Sequence, residues 1–245
     1  MNTAVIIQAR MGSTRLPGKV MKKIEGHSIL AHDIMRIKQA NEIKDIIIAT
    51  TIKEEDNLIV NEATIYGAKV YRGSEDNVLE RYYYAAKENN VDTVIRITSD
   101  CPLIDPRILD KMIKEYDNND YEYMSNQSAK LEERTFPRGL DIEIFSFKLL
   151  EDAYFNAKHD YQKEHVTPYI YENCTNKYHF KNGANYSKYR WTLDTQEDLE
   201  AIRYIYSYLY KGKHDFYMDE VISLMIEHPE IVEINSEIKQ KPTVY

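Results

Sequence analysis

The sequence predicts an α/β protein built on a mostly parallel sheet, and three observations carry that prediction. Apolar runs at Ala4 to Ile7, Ile46 to Ala49 and Val94 to Ile97 are short and continuous, as in strands covered on both faces. The segments between these runs carry helical spacing, which gives the alternation of a βαβ sheet. A basic stretch with two glycines, Arg10 to Lys19, follows the first run, where an open α/β sheet takes its ligand.

The later elements follow in order. After Ser74, the residues Val78, Leu79, Tyr82 and Ala86 recur on one helical face, predicting a helix over about 76–88 with Ser74 or Asp76 as its N-cap. Pro106 opens another, whose face is Ile108, Leu109, Met112 and Ile113. Tyr121 to Met124 and Leu140 to Phe145 read as extended segments flanking a polar loop that ends at Pro137-Arg138-Gly139. Phe147, Leu150 and Tyr154 mark a helix, Tyr189 to Leu193 a strand, and Leu199, Ile202, Tyr206 and Leu209 a long amphipathic helix. Without repeats or a linker, residues 1–245 read as one unit, with 120–185 as an acceptor-binding or dimer-forming excursion.

Composition narrows the function. The chain has 245 residues, 32 Lys and Arg against 40 Asp and Glu, and a formal net charge of -8, which argues against a broad nucleic-acid-binding face. Cys101 and Cys174 form no C-x-x-C and read as reduced thiols. The start lacks a charged leader and no run approaches the length of a membrane span, so a cytoplasmic protein is expected.

Phosphate is the natural guest for Arg10, Arg15 and Lys19, because glycines let backbone N–H groups approach oxygen while cations neutralise it. The familiar phosphate signatures do not fit. Gly12 and Gly18 enclose five residues where a P-loop has four, Lys19 is followed by Val20 without a hydroxyl, and no G-x-G-x-x-G follows the first strand. At about 4 Å and an effective dielectric near 20, each cation–phosphate contact has a Coulomb energy of roughly 4 kcal/mol before desolvation. Three such cations suit a triphosphate better than a neutral sugar; the alternative is a solvated basic turn.

Ile7 to Lys19, read as IQARMGSTRLPGK, resembles the signature of the SpsF-like cytidylyltransferases of polysaccharide biosynthesis, a family related to the 3-deoxy-manno-octulosonate and acylneuraminate cytidylyltransferases. The resemblance continues through Glu75 to Tyr82, Arg96 to Pro106, Gly139 to Glu143, Glu164 to Pro168 and Trp191 to Leu199. It implies a Rossmann-like, three-layer nucleotidyltransferase fold, usually dimeric, that joins CMP from CTP to an acceptor and releases pyrophosphate. On that likeness Arg10, Arg15 and Lys19 hold the triphosphate, with Gly12, Ser13 and Ser99 beside it, and cytosine and ribose lie near Gln8, Ala9, Arg72 and Ser74.

Such a transfer calls for a divalent cation with oxygen ligands. Asp100 and Asp194, each read as ending a strand on one sheet rim, are placed to share an ion, and the resemblance implies that they bind Mg2+. The competing readings are a turn role for Asp100, and helix capping by Asp194 or by Thr195 with Asp198. Asp141 and Glu143, two apart, share a strand face and either meet acceptor hydroxyls or a second metal, or simply face solvent. Glu164 and His165 read as opening a helix-like segment and as acceptor contacts, or as a plain charge arrangement at its start. Arg134 and Arg138 either meet an anionic acceptor or are solvated loop charges. Two rival functions remain: a glycosyltransferase, weakened because Asp100 is followed by Cys101-Pro102 and no D-x-D, and a non-catalytic nucleotide-binding protein.

Overall fold

The structure, a computed structural model, describes residues 1–128 and 133–239. The three apolar runs become strands β1 (Thr3–Gln8), β4 (Asp45–Thr51) and β6 (Thr93–Thr98) of a seven-stranded sheet, joined by β5 (Lys69–Gly73), which the apolar pattern does not mark; a hairpin of two-residue strands, β2 (Lys23–Ile24) and β3 (His27–Ser28), stands apart. β1 lies between β4 and β6, all parallel, and β5 extends the sheet beyond β4. β7 (Tyr123–Ser125), β8 (Glu143–Ser146) and β9 (Lys177–His179), from within the 120–185 excursion, complete the same sheet in the order β5-β4-β1-β6-β8-β7-β9, with β8 antiparallel to both of its neighbours.

Alternation along the strands divides the core into two layers. Val5, Ile7, Ile46, Ile48, Ile95 and Ile97 face α1 (Ile29–Ile37), α4 (Pro106–Asp117), α8 (Gln196–Leu209) and α9 (Met218–Glu227). Ala4, Ile6, Ile47, Ala49 and Val94 face α3 (Val78–Glu88), α5 (Phe147–Asn156) and α7 (Pro168–Asn173). Helices on both faces of a mostly parallel sheet are the architecture the strand pattern predicted. No helix among the described residues is long and apolar enough to cross a membrane.

Three local readings are corrected. Asn77, whose side chain accepts from Glu80 N–H, caps α3, because the first turn starts at Val78; Ser74 instead turns the loop ahead of it. Glu164 and His165 close α6 (Asp160–His165) rather than open a helix, and Pro168 starts α7 after the positive-φ residue Val166. Tyr189 to Leu193 forms no strand: it contributes one parallel bridge, Arg190 to Arg138. The two segments approach so closely there that a Cβ on Gly139, at φ +95°, would lie 2.6 Å from the Trp191 carbonyl carbon. Gly139→Ala combines left-handed strain with that backbone clash, and a loss of at least about 2 kcal/mol is expected in urea unfolding; an unchanged midpoint would contradict it.

A buried histidine pair makes folding acid-sensitive. His32 Nε2–H donates to the Ile24 carbonyl oxygen at 2.8 Å, which leaves Nδ1 to accept from His214 Nε2–H, also at 2.8 Å. Burial pushes His32 down to about 4 from 6.5, against the Ile24 bond, and burial with the neighbouring His32 pushes His214 down to about 3. The unfolded chain therefore binds more protons below pH 6.5, and stability falls as pH drops from there toward 4. His214→Gln removes one titrating ring, so its acid slope between pH 6 and 4 should be shallower by about 1.4 kcal/mol per pH unit; parallel slopes would refute the assignment.

Candidate active site

The basic loop is shaped by its own backbone. Ser13 and Gly18 N–H groups both donate to the Met11 carbonyl, at 2.8 and 3.0 Å, and Lys19 N–H donates to Leu16 O at 3.1 Å. Gly18, at φ +63°, supplies the turn before a short 3-10 helix, Lys19–Met21. Gly12 has open surroundings, with no atom nearer than 3.9 Å to where a Cβ would sit and no positive φ, so neither turn geometry nor packing demands glycine there. The loop is tied down by Asp56, a buried residue that accepts from Met11 N–H at 2.8 Å and from the Thr51 hydroxyl at the end of β4.

Lys19 turns inward and ends in an all-oxygen pocket. Its ammonium donates to Asp100 Oδ2 at 2.8 Å, the Leu193 carbonyl at 2.8 Å and Asp194 Oδ1 at 2.9 Å. Arg15 meets Asp194 Oδ2 at 2.9 Å, and Arg190 meets the same oxygen at 3.1 Å. Thr98 Oγ1–H steadies the other Asp100 oxygen at 2.5 Å. Burial opposes the charge on Lys19, but the two carboxylates outweigh it and raise its pKa; burial likewise opposes Asp100, and Lys19 holds its carboxyl below the ordinary value. Thr195 and Asp198 form the capping box of α8, which leaves the Asp194 side chain to the cations.

The structure thus brings Arg15, Lys19, Asp100 and Asp194 together at the carboxyl ends of β1 and β6. Ser99, buried, follows β6, and Ala9, buried, and Ser13 lie in the loop after β1. Arg10 is on the rim, 3.8 Å from Glu75, which also meets Lys53 at 2.6 Å. Arg72 closes a neighbouring loop through Thr51 O, Lys53 O and Asn57 Oδ1. Ser74 belongs to a turn held by the buried Arg81, whose guanidinium donates to the Ser74 and Glu75 carbonyls at 2.6 and 3.1 Å. Gln8 Oε1 accepts from Arg96 at 3.2 Å.

The residues read as acceptor contacts divide. Glu143 is buried and holds Arg96, the Tyr123 hydroxyl and the Thr167 hydroxyl, the last at 2.7 Å. Asp141 precedes β8 and pairs with Arg134, which is buried and not a solvated loop charge. Glu164 is exposed; His165 is half-buried, and burial lowers its pKa. Arg190, Asp56 and Arg81 escaped the sequence reading; Asp198, expected with Thr195 as a capping box, forms that box and also holds Arg190.

Asp100, Asp194 and the Leu193 carbonyl are hard oxygen donors already gathered around one cation, a donor set that fits Mg2+, which commonly takes one or two carboxylates and completes its shell with waters and phosphates. Among the described residues no three His, Cys, Asp or Glu side chains converge.

Residues 4–225 match the family model described as cytidylyltransferase. The spore coat polysaccharide biosynthesis protein SpsF of Bacillus subtilis is 33% identical over 235 residues, covering 92% of this chain and 94% of that one. A cytidylyltransferase structure from Leptospira borgpetersenii superposes with a TM-score of 0.90 at 36% identity, over 98% of this chain and 100% of that one. A structure of CMP:2-keto-3-deoxy-manno-octonic acid synthetase complexed with CTP shares the fold, with a TM-score of 0.67 at 17% identity over 85% and 99% of the two chains.

Replacing Lys19 by Met leaves Asp100 facing a desolvated pocket without its cation. With 15% and 19% of the two side chains still exposed, the loss at pH 7 should be on the order of 2 kcal/mol, below that of breaking a fully buried pair. The wild-type pair contributes above the ordinary carboxyl value of 3.8 and its contribution is lost as pH falls through the depressed folded value, so the two proteins should converge in urea unfolding below about pH 4. An equal gap at pH 3 and pH 7 would contradict this.

Proposed function

The chain belongs to the cytidylyltransferase family and is a CTP-dependent nucleotidyltransferase; we propose that it transfers CMP from CTP to an acidic sugar or a small phosphorylated acceptor in surface polysaccharide synthesis. The observation that carries this reading is the cluster of Arg15, Lys19, Asp100 and Asp194 at the sheet rim. An acceptor oxygen forms a bond to the α-phosphorus while the bond from that phosphorus to the bridging oxygen breaks, and the electron pair leaves with pyrophosphate. Arg15 and Lys19 neutralise the departing pyrophosphate, and Arg10, half-exposed on the rim, reaches the outer phosphate. Gly12 gives the phosphates room against the loop.

Asp100 and Asp194 would hold Mg2+, which polarises phosphate oxygens and offsets developing charge. Arg15, Lys19 and Arg190 balance Asp100, Asp194 and Asp198, so a triphosphate entering alone would leave all of its charge uncompensated, whereas one carrying a divalent cation would leave only part of it. Cytosine and ribose are assigned to the edge formed by Gln8, Ala9 and the turn at Ser74, with Arg72 acting through the loop it closes. Asp141, Glu143 and His165 are assigned to the acceptor side; Glu143 acts there by fixing Arg96. Homodimer assembly through the 120–185 excursion belongs to the same reading.

Thermal unfolding with Mg2+ and CTP, UTP, ATP, GTP or dTTP in turn tests the donor. A ligand at 100 times its dissociation constant adds about 2.7 kcal/mol, so CTP alone should give a clear upward shift. In a pyrophosphate-release assay with acidic sugars and sugar phosphates, Lys19→Ala should remain folded and lose about 10²- to 10³-fold in kcat. Wild-type turnover in that variant would sink the assignment of Lys19.

A further inference from the structure

Arg190 has the surroundings of a part that stays in place when the rest of the cluster changes partners. Its side chain is 8% exposed, and the guanidinium grips Asp198 twice, Nε to Oδ1 at 2.8 Å and a terminal nitrogen to Oδ2 at 3.0 Å. The same terminal nitrogen reaches Asp194 Oδ2 at 3.1 Å. Asp198 is fully buried and accepts the backbone N–H groups of Asp194 and Thr195, at 2.9 and 3.1 Å. Asn235, from the segment after the last helix, α10 (Pro229–Glu233), donates to both Asp198 Oδ1 at 2.9 Å and the Arg190 carbonyl at 3.1 Å. The bridge to Arg138 fixes the backbone of Arg190 from the other side.

The other two cations on Asp194 are more open to solvent. Arg15 lies in the basic loop with 28% of its side chain exposed and Lys19 opens the short 3-10 helix after it with 15% exposed, and on the function proposed above both have a second duty, toward the phosphates. When they turn to the triphosphate, Asp194 loses two of its three cationic partners. We infer that Arg190 is a positioning residue: anchored on Asp198 and Asn235, it keeps the Asp194 carboxylate aimed at the metal–triphosphate after Arg15 and Lys19 have let go. It touches neither substrate nor metal, and its effect passes through Asp194. This inference rests on the nucleotidyl-transfer reading.

The test measures metal demand separately from nucleotide affinity. With saturating CTP, the Mg2+ or Mn2+ concentration giving half the thermal shift is determined for wild type, Arg190→Met, Arg190→Lys and Asn235→Ala, and Mn2+ binding is read directly by electron paramagnetic resonance. Removing an outer partner of a metal ligand typically costs 10- to 100-fold in metal affinity. Arg190→Met should therefore raise the metal midpoint about tenfold, with apparent CTP affinity at saturating metal within about twofold of wild type; Arg190→Lys should recover part of the loss. Asn235→Ala, which loosens the anchor and leaves every charge in place, keeps the test open if Arg190→Met does not fold, and should shift the midpoint in the same direction by less. Unmoved or lowered midpoints in folded variants, beside a normal wild-type response, would overturn this inference alone. A wild-type chain that binds no nucleotide with any metal would overturn the function reading and this inference with it.

Discussion

A single ammonium group holds three distant parts of this chain in register. Lys19 arrives on the loop after β1, Asp100 on the turn after β6, and Leu193 and Asp194 on the segment leading into α8. In water such a pair at about 4 Å is worth about 1 kcal/mol; at the effective dielectric of a partly shielded rim it is nearer 4 before desolvation. The sheet makes the arrangement possible. Because β1 and β6 are parallel neighbours, their carboxyl ends face the same way, and the loops that follow them meet without a long excursion. The buried Asp56 then limits where the basic loop can go, by holding Met11 against the end of β4.

Much of this frame is legible in the amino-acid order, for physical reasons that also explain the misreadings. Strands covered on both faces must be apolar without interruption, so Ala4 to Ile7 and Val94 to Ile97 stand out. Helices that cover them must show a stripe, as Ile108, Leu109, Met112 and Ile113 do. Tyr189 to Leu193 has the burial of a strand, with Tyr189, Trp191 and Leu193 all inside, but a strand also needs a neighbour over several residues. Here the neighbour is the turn at Gly139, which offers one bridge. The N-cap of α3 was misplaced for a related reason: Ser74, Asp76 and Asn77 are all competent acceptors, and only the direction of entry, set partly by Arg81 gripping the turn, selects Asn77.

The site was legible where chemistry is concentrated locally and hidden where it is assembled from afar. Three cations among two glycines and a proline announce an anion; that two of them turn toward Asp194 depends on a residue some 175 positions onward. Arg72 and Arg134 illustrate the converse. An isolated arginine in a polar stretch looks the same in sequence whether it meets a ligand or ties backbone carbonyls, and here Arg72 closes the 51–57 loop while Arg134 is buried against Asp141 and the Phe136 and Pro137 carbonyls. Glu143 looked like half of an exposed pair because β8 was expected to begin earlier; it begins at Glu143, and Asp141 lies outside it.

The separation between Lys19 and its partners also dictates when the site comes into being. The contacts from Lys19 to Leu193 and Asp194 span 174 and 175 residues, so they belong to the slowest class of chain closures, and the sheet can pair β1, β4, β5 and β6 long before they form. A chain emerging from the ribosome would carry its basic loop exposed, with Glu75 and Asp100 as its near counterions, until residue 194 has cleared the exit and docked. The completed cluster of Lys19, Asp100 and Asp194 is therefore a late product of folding, a built-in report that the last quarter of the chain has reached its place.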